Sequence, residues 1–563
     1  MGDRLADLAM RYWHFRCDEF PIEAIQAGVA TDASVLIRHA PADFERRASV
    51  AQKMRRELAT IDQAELKLDD RATAILLERE LRMMIDTAAV RAHLRPSIYP
   101  LGPEFMLTYW AGTVAPASIS DALLYVARLI GVPEAVEGVQ ASMRQGIAAG
   151  IAYPRLVVDR ALDQVRGLLA VAPEASAFAA GANRIRSKNG RWSEIADEAI
   201  IAIKEEVYPA IARYAAFLEA EIRLVASDRV AAIDDVDGIA HYRHLALFNT
   251  TTDLPADEIH AFGLSEVTRI DAAMREVAAG AGAGDLAEFR RRLKTDDSQF
   301  AESADALRQE IEVLSKRIDA RIPELFGRIP RSTYGVQSIP EAISAAAPPA
   351  YAQPNPADNS AAGVHWISSH PMKVPRYMHV PLALHEAWPG HLMHLALIQE
   401  MEHLPDFRRF GAMSYSACLE GWALYCESLG EELGFYDTPE KRYGRLEMEM
   451  WRAVRLVVDT GLHTRGWTRD QALALFAEHL ALPIDTVTAE VDRYIGLPGQ
   501  ALAYQLGNRT FRELRARAET AQGDHFVLRD FHDALMAAGP VTLPVLEMLI
   551  DAWIADRSRA LAA

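Results

Sequence analysis

Leu382-Ala383-Leu384-His385-Glu386-Ala387-Trp388-Pro389-Gly390-His391-Leu392-Met393-His394 places three imidazoles and a carboxylate within ten residues, directly behind an apolar run. In helix-borne zinc sites two histidines stand four apart, so that both reach one ion, and a glutamate follows the first. Here the gap from His385 to His391 is six. Six residues advance about 600° around an ideal helix, which leaves the two rings roughly 120° apart. Pro389 removes a helical hydrogen bond and Gly390 relaxes the backbone, so the pair predicts a local bulge that turns His391 back toward His385. His391 and His394, three apart on one face, form a competing pair that leaves Glu386 poorly placed. Ordinary core histidines are the bland alternative, and His-Glu followed by Gly-His in an apolar frame weighs against it.

Catalytic zinc keeps three protein donors and one open position, so a third donor is needed. Glu420-Gly421-Trp422-Ala423-Leu424-Tyr425-Cys426-Glu427 supplies two acids seven apart, on one helix face, among apolar neighbours. A buried carboxylate needs a partner, and a structural salt bridge competes with a metal for that role.

Upstream, six prolines between Pro330 and Pro356 exclude a continuous helix and predict an extended segment. Gly363-Val364-His365-Trp366-Ile367-Ser368-Ser369 then reads as a strand, which either pairs a peptide along its edge or merely packs on the helix that follows. Most other segments carry the apolar period of helices. Examples are Ile200, Ile203, Val207, Ile211, Tyr214, Leu218 and Ile222, with Pro209 expected to kink the rod, and Leu307, Ile311, Leu314 and Ile318. Gly280-Ala281-Gly282-Ala283-Gly284 reads as a connector. The expectation is a mainly α protein with a small β element near the site, divided into a helical region 1–328 and a metal-binding region 329–563 that together form one bilobal unit.

The 563 residues exceed the usual size of a single core, and half of them are hydrophobic while a quarter are charged, as in globular proteins. With 78 acidic against 60 basic side chains the net charge is −18, and no long basic block exists to neutralise phosphates, so nucleic acid is not an expected partner. Cys17, Cys418 and Cys426 are too few and too ill-spaced for a disulfide framework or a cysteine zinc cluster, which fits a reducing compartment. Acids at Asp3 and Asp7 and the lack of an eighteen-residue apolar run argue for a cytoplasmic protein without a membrane partner.

These motifs resemble those of the domain of unknown function 885 family, with its His-Glu-x-x-Pro-Gly-His signature, and more distantly thimet-type oligopeptidases and carboxypeptidase Taq. Glu420 to Tyr425, Arg455 to His463 and Pro498-Gly499-Gln500-Ala501-Leu502-Ala503-Tyr504 look like further blocks of that family in the same order. The resemblance implies a zincin-like helical metallopeptidase with a deep channel, zinc on His385, His391 and Glu420, and Glu386 as general base. The sequence departs from the family pattern at Ala387, where glycine is usual, and at Leu392 and His394, where His and Gln are common.

Arg452, Arg455, Asp459 and His463 follow at helical spacing as a polar stripe, which either lines a cavity or forms an intrahelical ion-pair ladder. Zinc peptidases commonly aim a His or Tyr donor at the developing oxyanion, and His463 and Tyr504, the latter sharing a face with Gln500, are the candidates. The expected activity is hydrolysis of short peptides. An amidase acting on a non-peptide substrate and a catalytically silent helical binding protein are the alternatives. No Gly-x-Ser-x-Gly elbow or phosphate-cradling glycine loop points elsewhere.

Overall fold

The polypeptide, seen in a computed structural model, is described for residues 2–344, 347–357 and 359–562. Its helices dominate, as the apolar periods predict. The 200–222 stretch lies within one rod in which Arg191–Ala202 passes through a π-helical turn, Ile203–Val207, into Tyr208–Phe217. That wider turn comes just before Pro209, whose ring would otherwise collide with the preceding turn. Ile203, Val207, Ile211, Tyr214, Leu218 and Ile222 are all buried. In Ala304–Asp319 the expected face is buried at Leu307 and Ile311 in one core and at Ile318 in a second, against which Leu314 is half-buried.

A three-stranded sheet interrupts the helices. Strands β1 (Tyr334–Ser338), β2 (Ala350–Gln353) and β3 (Gly363–Ile367) lie in the order β1-β3-β2. β1 runs parallel to β3, with Val336 opposite His365, and β2 runs antiparallel, with Ala352 opposite the same histidine. Both edges of β3 are therefore occupied, which corrects the expectation that this strand offers a free edge to a peptide. The proline-rich segment is not wholly extended either, since Glu341–Ser344 forms one helical turn between β1 and β2.

Apolar burial is shared between the two halves of the chain. One large cluster joins Leu107, Trp110, Tyr125 and Phe178 to Met448, Val454, Val458 and Tyr494. A second joins Leu5, Leu8, Tyr12, Trp13 and Leu77 to Leu384, Met393, Trp422, Tyr425 and Leu546. The helix Pro439–Arg465 runs through the interior, and every residue from Leu446 to His463 is buried, so it is covered on all sides. Gly263 lets the helix Ala256–Gly280 approach it, because a side chain there would meet Leu456 and Val457 at 2.8 Å. Among the described residues no helix is long and apolar enough to cross a membrane.

Glu104, in the first turn of Pro103–Thr113, is 2% exposed and accepts one hydrogen bond, from Gln164 Nε2 at 2.6 Å. Burial pushes its pKa up to about 7 against the pull of a backbone N–H and Gln164. The unfolded chain releases this proton near the ordinary value of 4.5, whereas the folded protein holds it to about 7. Folded protein thus binds the extra proton between those values, and stability falls as pH rises through them. Glu104→Gln should unfold with the parent at pH 4.5 and be more stable at pH 8, by on the order of 1–3 kcal/mol. Thermal melts of both proteins at the two pH values check this, and a difference independent of pH would contradict it.

Candidate metal centre

The helix His379–Glu386 is buried along its whole length and stops at Ala387, which leaves helical geometry at φ −92°, ψ −125°. A second helix, His391–Gln399, begins immediately after Gly390. The expected bulge is thus a complete break, and the physical reason lies at Gly390. A Cβ there would stand 1.9 Å from the His385 carbonyl oxygen and 2.4 Å from that of Leu384, so the chain doubles back over the end of the first helix in a way only glycine permits. Trp422 Nε1 donates to the Pro389 carbonyl at 3.0 Å and pins the reversal from the facing helix Ser416–Ser428. His391 consequently starts its own helix with its ring edge-on to His385, centroids 4.9 Å apart and planes at 89°.

His385, His391 and Glu420 converge, one donor atom from each lying within 4.8 Å of the other two. Glu420 Oε2 is 3.6 Å from His385 Nε2 and 3.4 Å from His391 Nε2. A charge-assisted hydrogen bond would close to about 2.7–2.9 Å. Zinc–ligand bonds of about 2.0–2.2 Å at tetrahedral angles instead separate the donors by roughly 3.3–3.6 Å. The observed spacings match the second geometry, and two imidazoles plus one carboxylate are a zinc donor set, so these residues fit the ion.

His385 Nδ1–H donates to Glu427 Oε1 at 2.8 Å, which turns Nε2 toward the other donors. Burial pulls the His385 pKa down, but Glu420 and Glu427 outweigh it and raise it to about 9. Burial likewise pushes the Glu420 carboxyl up, yet His391 and His385 hold it well below the carboxylate range. The pocket stabilises charge of both signs. Glu427, 1% exposed, is itself faced by Arg452 Nη2 at 3.7 Å, and Tyr436 Oη donates to its backbone carbonyl. Glu386 is buried, and its carboxylate makes no hydrogen bond or ion pair with a described residue. It follows His385 directly, and its charge helps to raise the pKa of that histidine.

His394 is not drawn into the group. It is 2% exposed against Trp422, and burial followed by the nearby His391 lowers its pKa to about 3. Tyr504 is half-buried, with its phenol pKa raised by burial and then by the Glu420 charge. The helices carrying Glu420 and Tyr504 touch at Gly421 and Gly507, where a side chain on Gly421 would lie 2.4 Å from the Gly507 backbone. His463 lies elsewhere. Its Nε2 is engaged by the Tyr494 carbonyl at 3.0 Å, its ring packs on Tyr242, and the helix rise carries it about 12 Å past Arg455. Its Nδ1 is buried without a hydrogen-bond partner, so one ring nitrogen is committed to a neighbouring helix and the other to none of the described residues.

The stripe is not an intrahelical ladder either, since each member bonds a different neighbour. Arg452 faces Glu427, Arg455 binds Glu490, and Asp459 accepts from Tyr242 Oη at 2.7 Å and from the Gly499 N–H at 3.1 Å. Gly499 has φ +80°, and the Asp459 contact fixes the turn from which Gln500 and Tyr504 emerge. Residues that motif reading passed over also surround the site. Glu490, Arg493 and Tyr494 form a partly buried polar network on Ile484–Gly496, signalled in the sequence by Asp492-Arg493-Tyr494 just ahead of Pro498-Gly499. His365 on β3 is fully buried with neither ring nitrogen bonded, and strand alternation places it on the inward face with Gly363 and Ile367.

The sequence matches, over residues 21–550, the family described as bacterial protein of unknown function (DUF885). Among curated proteins none matches. A solved structure from Colwellia psychrerythraea, provisionally described as a lipoprotein, superposes with a TM-score of 0.91 at 25% identity, covering 98% of this chain and 99% of that one. One from Shewanella oneidensis, provisionally described as a lipoprotein of unknown function, gives 0.74 at 15% identity, over 97% and 99%. A protein from Bacillus anthracis str. Ames, provisionally described as an oligoendopeptidase F, reaches 0.33 at 11% identity over 92% and 96%, too low to carry an argument.

The geometry separates the residues that could hold an ion from the histidine that merely neighbours them. His391→Ala should abolish stoichiometric zinc in purified protein, whereas His394→Ala should keep it. Gly390→Ala changes no donor, yet it should also lose the metal and lower stability by about 2 kcal/mol or more, through the clash with the His385 carbonyl. Elemental analysis with thermal melts checks all three, and a Gly390→Ala protein with full zinc would refute the role given to the chain reversal.

Proposed function

The chain belongs to the DUF885 family, and from the site it carries we propose that it is a zinc-dependent hydrolase that cleaves peptide bonds of short peptides. The observation that carries this reading is the convergence of His385, His391 and Glu420, with Glu386 close enough for its charge to act on His385. Zinc bound by those three side chains would polarise a water and the carbonyl of the bond to be cut.

The protein's own residues do the rest. Glu386 accepts a proton from the water as its oxygen attacks the carbonyl carbon, then delivers that proton to the nitrogen as the C–N bond breaks, leaving a carboxylic acid and an amine. Glu427 holds His385 in one orientation and tautomer throughout, so the donor geometry needs no rearrangement during the reaction. The Tyr504 hydroxyl, protonated at neutral pH because burial and Glu420 raise its pKa, donates to the carbonyl oxygen as negative charge develops there.

Glu386→Gln keeps size and removes the base. The variant should fold, retain zinc and hydrolyse a library of short flexible peptides at least about a hundredfold more slowly than the parent. Equal rates at equal zinc occupancy would remove Glu386 from this role, and a zinc-loaded parent that cuts none of the peptides would overturn the reading.

A further inference from the structure

Arg455 is 5% exposed, and its guanidinium is only partly satisfied. Nε donates to Tyr494 Oη at 2.8 Å and Nη2 to Glu490 Oε2 at 3.0 Å, while Nη1 is buried without a hydrogen-bond partner. Leaving a buried charged donor unmade is costly. Its plane is fixed by aromatic rings, with Tyr504 centred 4.3 Å, Trp451 5.0 Å and Tyr494 5.8 Å from the guanidinium carbon. One turn earlier on the same helix, Arg452 is equally buried with Nε unpartnered, and its guanidinium carbon is 5.8 Å from the Tyr504 ring. Glu427 faces Arg452, and the single carboxylate of Glu490 is shared between Arg455 and Arg493.

These guanidiniums lie beside the metal donors: Arg452 faces the Glu427 that holds His385, and the Tyr504 ring, 4.3 Å from the Arg455 guanidinium carbon, is near enough to Glu420 for that charge to raise its phenol pKa. An orphaned guanidinium edge calls for a carboxylate, the anion whose two oxygens match a guanidinium fork. With Tyr504 bridging Arg455 and the surroundings of Glu420, such a carboxylate belongs to a residue shortly after the bond cut at the donors.

We propose that Arg455, backed by Arg452, receives the free C-terminal carboxylate of the substrate, so that the protein removes one or two residues from the C-terminus of short peptides; this rests on the hydrolase reading above. Arg455 is a specificity residue in this assignment. The structural alternative is that it serves only to hold Glu490.

The test uses the zinc-loaded protein and a library of N-acetylated tetrapeptides, each as the free acid and as its C-terminal amide. The free acids should be cut with at least a tenfold higher kcat/KM, and the products should be acetylated fragments shortened by one or two residues. Arg455→Met should erase the preference for the acid, and Arg455→Lys, which keeps the charge and the pairing with Glu490 but not the fork, should reduce it. Acids and amides cut alike by the parent would overturn the assignment while leaving the hydrolase reading intact, and this comparison does not depend on any variant folding. Should neither be cut, the hydrolase reading fails, and calorimetric binding of the two peptide forms still decides the carboxylate site: equal affinities overturn it and tighter binding of the acid supports it.

Discussion

The reversal of the chain between Ala387 and Gly390 sets the position of every other group at the centre. A straight helix carries residues six apart to different faces, so His385 and His391 share a point in space only because one helix ends and another begins between them. The break exposes carbonyls at the end of the first helix, and such ends need cover or partners. Here Gly390 packs directly over the Leu384 and His385 carbonyls, and Trp422 satisfies the Pro389 carbonyl. Since Trp422 lies two residues after Glu420, the side chain that pins the reversal and the third donor ride on the same helix. Register between the histidines and the glutamate is thereby set by packing, before any ion binds.

Charge is the second constraint. A carboxylate and an imidazole brought so close in a dry interior must be compensated, and the compensation spreads outward from Glu427 to Arg452 and on through Arg455 to Glu490 and Arg493. Such chains are expensive in isolation and become tolerable when each member is held by several partners. Tyr494 illustrates the economy of the arrangement, because its hydroxyl meets Arg455 and Glu490 while its backbone carbonyl engages His463. Nη1 of Arg455, Nε of Arg452 and Oε2 of Glu427 are left without a hydrogen-bond partner, and both guanidiniums lie near the ring of Tyr504. Incomplete pairing is thus concentrated beside the donor set.

Much of this was legible in the sequence where chemistry is local. The helical periods and the strand at 363–367 follow from residue types and spacing, whereas spacing left His391 against His394 and Glu420 against Glu427 open, and the family resemblance is what singled out His385, His391 and Glu420. What spacing could not supply was depth along an axis. His463 shares a helical stripe with Arg452 and Arg455, yet eleven residues of rise separate it from Arg452, and its Nε2 is engaged by a carbonyl from another helix. Nor could spacing show that β3 is the central strand, because its neighbours come from a proline-rich segment whose own signal argued only against helix. Glu490 and Arg493 were hidden for a similar reason, since charged residues on an amphipathic helix ordinarily face water.

The N-terminal helices explain why a site built from residues beyond 380 needs the rest of the chain. Arg16, on the helix Asp3–Glu19, ties Glu23 and Glu80 to the Ser414 hydroxyl at 2.9 Å, in the turn that leads into the Glu420 helix. Arg79 lies over the ring of Tyr415, 5.3 Å from its centroid, at the same junction. Arg408 extends this clamp, donating to Thr73 and to the Ala538 carbonyl from a fully buried position. The start of the Glu420 helix is therefore held by the first eighty residues as firmly as its middle is held by Gly507. A donor on a helix anchored at both places can keep 3.4 and 3.6 Å spacings to two histidines without collapsing onto either. The distant helices act on the centre by denying it that collapse.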